Sequence, residues 1–178
     1  MWNEIYTTLE AVLAAITGVQ HVAEYDDQCI GDGSKLSFRR PALLIEFVQM
    51  PMTTLGQGKQ AGTLTFRIHR VSNQVQKVRR DHPQKSNALA VRDLDDLVFA
   101  AMQGYRATID DTKTYPIKAT RRTVINTVQR TIFEPPISIP GTTLEIGIQE
   151  YTAYIQDHRA VRQTTVGDQD AEININVT

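Results

Sequence analysis

The chain has little of several things. One cysteine, Cys29, serves 178 residues. That excludes an intrachain disulfide and any cysteine-cluster metal site. No apolar run approaches the ~20 residues of a membrane-spanning helix. The opening Met1-Trp2-Asn3-Glu4 carries no basic stretch of the secretory type. Charge of one sign is also lacking. Nineteen Lys and Arg stand against 20 Asp and Glu, a formal charge of −1, which argues against a uniformly basic nucleic-acid binder. Internal repeats are missing. The expectation is a soluble single domain of a reducing compartment, without a membrane or nucleic-acid partner.

Catalytic signatures are scarce as well. Gly56-Gln57-Gly58-Lys59 lacks the spacing of a phosphate loop and leads into a strand pattern rather than a helix. Gly31-Asp32-Gly33-Ser34-Lys35 fails in the same way. His21, His69, His82 and His158 lie far apart and show no i, i+4 ligand spacing. Asp93, Asp95 and Asp96 lack the glycine and closing glutamate of a calcium loop. None of the five serines sits in a Gly-x-Ser-x-Gly elbow. Cys29 has Asp26 and Asp27 nearby, and such acids raise a thiol pKa. No catalytic residue, metal or cofactor is therefore expected, and the chain reads as a non-enzyme.

What is present is uneven charge. Residues 1–32 hold six acids and no Lys or Arg. Residues 67–92 hold seven bases and one acid, a block of +6. Residues 93–111 hold five acids and one base, a block of −4. Residues 112–133 hold five bases and no acid, and residues 134–178 seven acids and two bases. Such blocks on a near-neutral protein can steer one copy onto another.

Periodicity gives two helices and about five strands. Trp2, Ile5, Tyr6, Leu9, Val12, Leu13 and Ile16 recur at helical spacing. They predict a helix over 3–17, with Asn3 as cap and Gly18 as stop. Val19–Tyr25 is a short strand. Ala42–Val48, flanked by Pro41 and Pro51, is a central strand, and Thr63–Val71 alternates as its antiparallel partner across a glycine-rich connection at 50–62. A second helix runs from Ser86 or Asn87 to Gln103, burying Leu94, Leu97, Val98 and Ala101. Thr120–Phe133 is a strand ended by Glu134-Pro135-Pro136. Thr143–Ile155 is the last, with a bulge near Gln149 and Glu150 where its apolar parity switches. Glu46, inside the most apolar run, faces solvent, faces a subunit interface, or pairs with an arginine such as Arg67. The fold class is α+β: a mostly antiparallel sheet with two helices, in one domain over residues 1–155. Residues 156–178 form a polar tail, either free or adding a strand to a neighbour through Glu172–Val177.

This order of elements resembles the tail-terminator, or tail-completion, proteins of long-tailed bacteriophages. The resemblance rests on the helix Trp2–Ile16, the hairpin Ala42–Phe47 with Leu64–Ile68, the helix around Leu94–Val98, and the closing pair Val124–Ile132 and Leu144–Tyr154. It implies a virion protein that forms a six-membered ring at the head-proximal end of a tail, assembled in the host cytoplasm. Such a ring stops tube polymerisation and presents a surface to the head. The implied partners are further copies of the chain, the tail tube protein and the head–tail connector. Another neck or baseplate component is the nearest alternative, and a small enzyme or ligand-binding domain a more distant one. The expected subunit-contact residues are Arg67, Arg70, Lys77, Arg79, Arg80 and Lys85 on the basic side. On the acidic side they are Glu4, Glu10, Asp93, Asp95 and Asp96.

Overall fold

The computed structural model describes residues 1–26, 38–56, 59–73, 85–110, 119–140 and 142–162. Helix α1 (Trp2–Ala14) is followed by β1 (His21–Glu24), β2 (Ala42–Gln49), β3 (Met52–Gly56) and β4 (Lys59–Asn73). Helix α2 (Lys85–Met102), β5 (Ala107–Asp110), β6 (Ala119–Ser138) and β7 (Leu144–Arg162) follow. The strands form one seven-stranded sheet in the order β1-β2-β4-β7-β6-β5, with β3 also on β4. Every pairing is antiparallel except β1 with β2. The α+β class holds, with seven strands among the described residues where the sequence predicts about five.

Alternation along the paired strands separates two faces of the sheet. The inner face carries Leu43 and Ile45 of β2, Leu64, Phe66 and Ile68 of β4, and Tyr151, Ala153 and Ile155 of β7. Ile5, Leu9 and Leu13 of α1 and Leu94, Val98 and Met102 of α2 close over it. Asn3 does not cap α1; Met1 stands at the cap position and no side chain bonds there. A side-chain cap contributes ~1 kcal/mol, whereas each buried Ile or Leu contributes ~1.5–3, so burial of three such side chains decides the helix. The helix also stops at Ala14, before Gly18, whose φ of 95° turns the chain toward β1.

Helix α2 is rotated relative to the sequence expectation. Its buried side runs through Leu94, Asp95, Val98 and Met102, and Leu97 is 45% exposed. At about 100° per residue, Leu97 lies roughly a quarter-turn or more from the centre of that side. Asp95 takes the inward place because it has a buried cationic partner.

Four expectations about strands are corrected. The connection at 50–62 is mostly a hairpin: Met52, Thr53 and Thr54 pair with Gly62, Ala61 and Gln60. Pro135 and Pro136 do not end β6, which continues to Ser138 with a register irregularity between Glu134 and Ile137. β7 has no bulge at Gln149, since its pairing with β4 runs unbroken from Lys59↔His158 to Asn73↔Leu144. Its parity switches because a second, smaller core of Ala42, Leu44, Val71 and Leu144 lies on the opposite face. Three irregularities between Asn126 and Ile137 have their extra residue in β6, where Thr127 has a φ of 21°, and one between His158 and Val161 has it in β7. β7 also extends to Arg162, so residues 156–162 belong to the sheet, while Glu172–Val177 lies outside the described residues.

Gly62 fixes the hairpin. A Cβ there would lie 1.9 Å from the carbonyl oxygen of Pro51. Gly62→Ala is expected to cost roughly 1–3 kcal/mol, the range of overpacked sites. Amide exchange at Met52–Thr54 should accelerate far more than at Leu43–Ile45. Equal protection of β3 in the variant and the parent would contradict this.

Candidate assembly surface

The charged residues of β4 divide by parity. Arg70 continues the row Leu64, Phe66, Ile68 and is only 1% exposed. It donates to Asp95 through Nε (2.8 Å) and Nη2 (3.0 Å), a bidentate pair, and through Nη1 to Ser72 (2.7 Å) and Glu145 (3.3 Å). Gly147 stands opposite Arg70, and its missing side chain leaves room for the guanidinium, whose Nη2 lies 3.1 Å from where a Cβ would be. Gln149 donates to the Asp95 carbonyl at 2.8 Å, and Tyr151 donates to Gln149 at 2.6 Å. Burial foremost pushes the Tyr151 phenol above its ordinary range, with the carboxylate of Asp95 adding to the shift and Arg130 opposing it. Arg70 and Asp95, both expected on the surface, are therefore spent on each other inside the fold.

Arg67 and His69 belong to the other row, on the outer face. Arg67 donates to Glu150 at 2.9 Å and lies 3.6 Å from Glu46. The third possibility for Glu46, pairing with Arg67, is the one realised. His69 Nε2 is 2.7 Å from the same Glu46 oxygen, and the Tyr25 ring stacks on His69 at 4.2 Å. The hydrogen bond to Glu150 is the main cause holding the Arg67 guanidinium above its ordinary pKa, with the charges of Glu46, Glu150 and Glu134 adding to it. Half-exposed pairs of this kind contribute ~0–1 kcal/mol. Their consequence is a fixed pattern of charge more than stability.

Among the described residues, helices cover only the inner face. On the outer face, Ile132 and Ile137 of β6 and Tyr154 of β7 are exposed, with Ile146 and Ile148 half-buried beside them. All of residues 131–138 are exposed, and β5 pairs with β6 only as far as Ile125. The distal parts of β6 and β7 thus form an arm. On its inner side the Arg130 guanidinium lies 3.9 Å from the centre of the Phe99 ring and 5.3 Å from that of Phe133.

The other expected contact residues are scattered. Asp93 and Asp96 are exposed on α2. Glu10 accepts from Tyr6, and Glu4 pairs with the chain's N-terminus. Burial first and Glu10 second raise the Tyr6 phenol pKa. Lys77, Arg79 and Arg80 lie outside the described residues, and Lys85 begins α2. A shallow groove of about 520 Å³ runs between the start of α1 and the end of β2, walled by Trp2, Tyr6, Glu24 and Phe47. Among the described residues, no helix is long and apolar enough to cross a membrane, and no three metal-ligating side chains converge.

The outer-face row escaped sequence reasoning because exposed isoleucines on a strand read as core. The inward Arg70 did leave a signal: it shares parity with Leu64, Phe66 and Ile68, and an arginine in a core row implies a buried acid.

No protein family matches the chain, and no curated protein matches it by sequence. Among solved structures, a chain from one titled "Virion of native gene transfer agent (GTA) particle" aligns with a TM-score of 0.43 and 8% identity. The alignment covers 87% of this chain and 90% of that one. The functional reading accordingly stands on the geometry of this chain.

Proposed function

We propose that the chain is a structural virion protein and, within that class, a tail-terminator-type subunit that works as a ring, six-membered by the resemblance. The observation that carries this reading is the outer face of the β6–β7 arm, where exposed Ile132, Ile137 and Tyr154 lie to one side of the charge pattern of Glu46, Arg67 and Glu150. Exposed apolar side chains gathered on one face of a strand pair suit an association surface. The order helix, short strand, hairpin, helix, closing strand pair supports the reading, with β3 and β5 added to it. The reading gives the chain a place at the head-proximal end of the tail, with tube and connector proteins as partners, and assigns it no catalytic chemistry.

The physical requirement is simple. A tube of identical rings exposes the same surface after every addition. Only a subunit that binds this surface without recreating it ends growth. Deletion of the gene is therefore expected to leave unjoined heads and tails of uncontrolled length in electron micrographs of the lysate. Normal-length tails on full heads would overturn the reading. Unattached tails of normal length would move the protein to a joining role in the neck.

A further inference from the structure

We propose that the groove between the start of α1 and the end of β2 docks an arginine side chain presented by a partner protein. The inference goes beyond the ring reading and does not depend on it.

The groove forms where the cover of the inner face runs out. Register puts Val22 beside Leu43 and Glu24 beside Ile45, in the row that continues to Phe47. Helix α1 buries Ile5, Leu9 and Leu13 over that row, and its first turns leave Trp2 42% exposed and Tyr6 half-buried. Trp2, Tyr6 and Phe47 thus bring three aromatic rings to one groove, with Glu24 in the same wall. The Trp2 and Phe47 rings meet at 60° with centres 4.9 Å apart, as two sides of a corner rather than a stack. The volume of about 520 Å³ is within the range of small-ligand sites. The groove is shallow, however, and a side chain held from outside by its own protein suits it better than a free molecule.

Ring faces carry the negative part of the aromatic quadrupole and attract cations. The formal charge of the surrounding chain has the same preference. Residues 1–26 hold Glu4, Glu10, Glu24 and Asp26 and no Lys or Arg, which with the N-terminal ammonium gives 1 − 4 = −3, His21 being neutral. The ammonium is itself taken by Glu4. The start of α1 adds only about half a positive charge through its dipole. Arg39 and Arg40 precede β2 and so stand at its opposite end from Phe47.

A planar guanidinium fits this setting better than a compact ammonium. It stacks on a ring face while its in-plane N–H groups reach a carboxylate. The fold uses the same contact internally, where the Arg130 guanidinium lies 3.9 Å from the centre of the Phe99 ring and 5.3 Å from that of Phe133. Arg67, Arg70, Arg106 and Arg130 are already engaged within their own copy. The incoming guanidinium is assigned to a different protein with a basic contact surface, and the test separates this from a second copy.

Trp2 is the single tryptophan of the chain, so its fluorescence reports on this groove. The full chain is titrated with a blocked Gly-Arg-Gly-Arg-Gly peptide and with its citrulline counterpart, which keeps the shape and lacks the charge. The arginine peptide should shift Trp2 emission saturably, and the citrulline peptide should bind at least about tenfold more weakly. Phe47→Leu keeps apolar bulk and removes a ring, and Glu24→Gln removes a charge. Each should weaken binding of the arginine peptide about three- to tenfold, whereas Phe47→Tyr should stay within about twofold of the parent. Circular dichroism should be the same for all four proteins. If Phe47→Leu loses it, Glu24→Gln carries the comparison. Trp2 emission that ignores the arginine peptide, equal binding of the two peptides, or full affinity in the folded variants would overturn the site. An emission shift that follows the chain's own concentration, with no peptide present, would give the groove to a second copy and overturn the assigned partner. The deletion lysate decides the virion reading separately.

Discussion

Asp95→Ala is expected to cost about 3–5 kcal/mol of folding stability, the range found when one partner of a buried ion pair is removed. The cost comes less from the lost attraction than from what remains. The Arg70 guanidinium, 1% exposed, would keep its charge with only Ser72 and Glu145 to answer it. Gln149 holds the Asp95 backbone rather than its carboxylate, so that bond would survive the substitution. A domain with a total stability of ~5–15 kcal/mol loses much of it by this one change. Replacing both partners, Arg70→Met with Asp95→Leu, removes the stranded charge and should cost far less than Asp95→Ala alone. Urea unfolding of the parent and the two variants checks this. A loss below about 1 kcal/mol for Asp95→Ala would mean that water reaches the guanidinium and that the pair does not dock α2 on the sheet.

The sequence makes some parts of this fold readable and hides others for physical reasons. Helix α1 is legible because Ile5, Leu9 and Leu13 bury one side of a 3.6-residue period and the other side meets water. β2 is legible because it is apolar on both faces, with Leu43 and Ile45 in the main core and Ala42 and Leu44 in the smaller one. The same two-sided burial misleads in β7. Leu144 serves one core and Tyr151, Ala153 and Ile155 serve the other, so a regular strand imitates a bulged one. β3 is hidden because Thr53 and Thr54 face no core. Pro135 and Pro136 are tolerated because they lie where β6 departs from register and, among the described residues, only β7 pairs with it.

The candidate site is less legible than the fold. Counting charges along the chain places Arg67 and Arg70 in one block, although alternation sends them to opposite faces of the sheet. Block charge is a property of sequence position, whereas contact between copies depends on which face a side chain occupies. The pairing of Glu46 with Arg67 is readable, because an acid in an apolar strand needs a cation near it. The outer face is not, because nothing in the pattern of Ile132 and Ile137 says that they stand on the side away from α1 and α2.

Phe66→Ala and Ile137→Ala should separate the fold from its assembly. Phe66 is fully buried and stacks on Tyr151 with ring centres 5.5 Å apart. It stands opposite Phe47 on β2 and lies in the core that both helices cover. Truncation removes its transfer energy and leaves a cavity, at a cost of about 3–5 kcal/mol. Ile137 is 64% exposed on the arm. Its truncation should change monomer stability by no more than about 0.5 kcal/mol, as for other exposed positions. The order reverses in assembly. Under native conditions that keep both variants folded, Phe66→Ala should still assemble, because its outer face is unaltered, whereas Ile137→Ala should lose most of its assembled fraction. Calorimetry and native mass measurement on the same two proteins give both readings. If Ile137→Ala were as costly to stability as Phe66→Ala, the arm would be part of the monomer's own core. The outer face would then not be the surface on which copies meet.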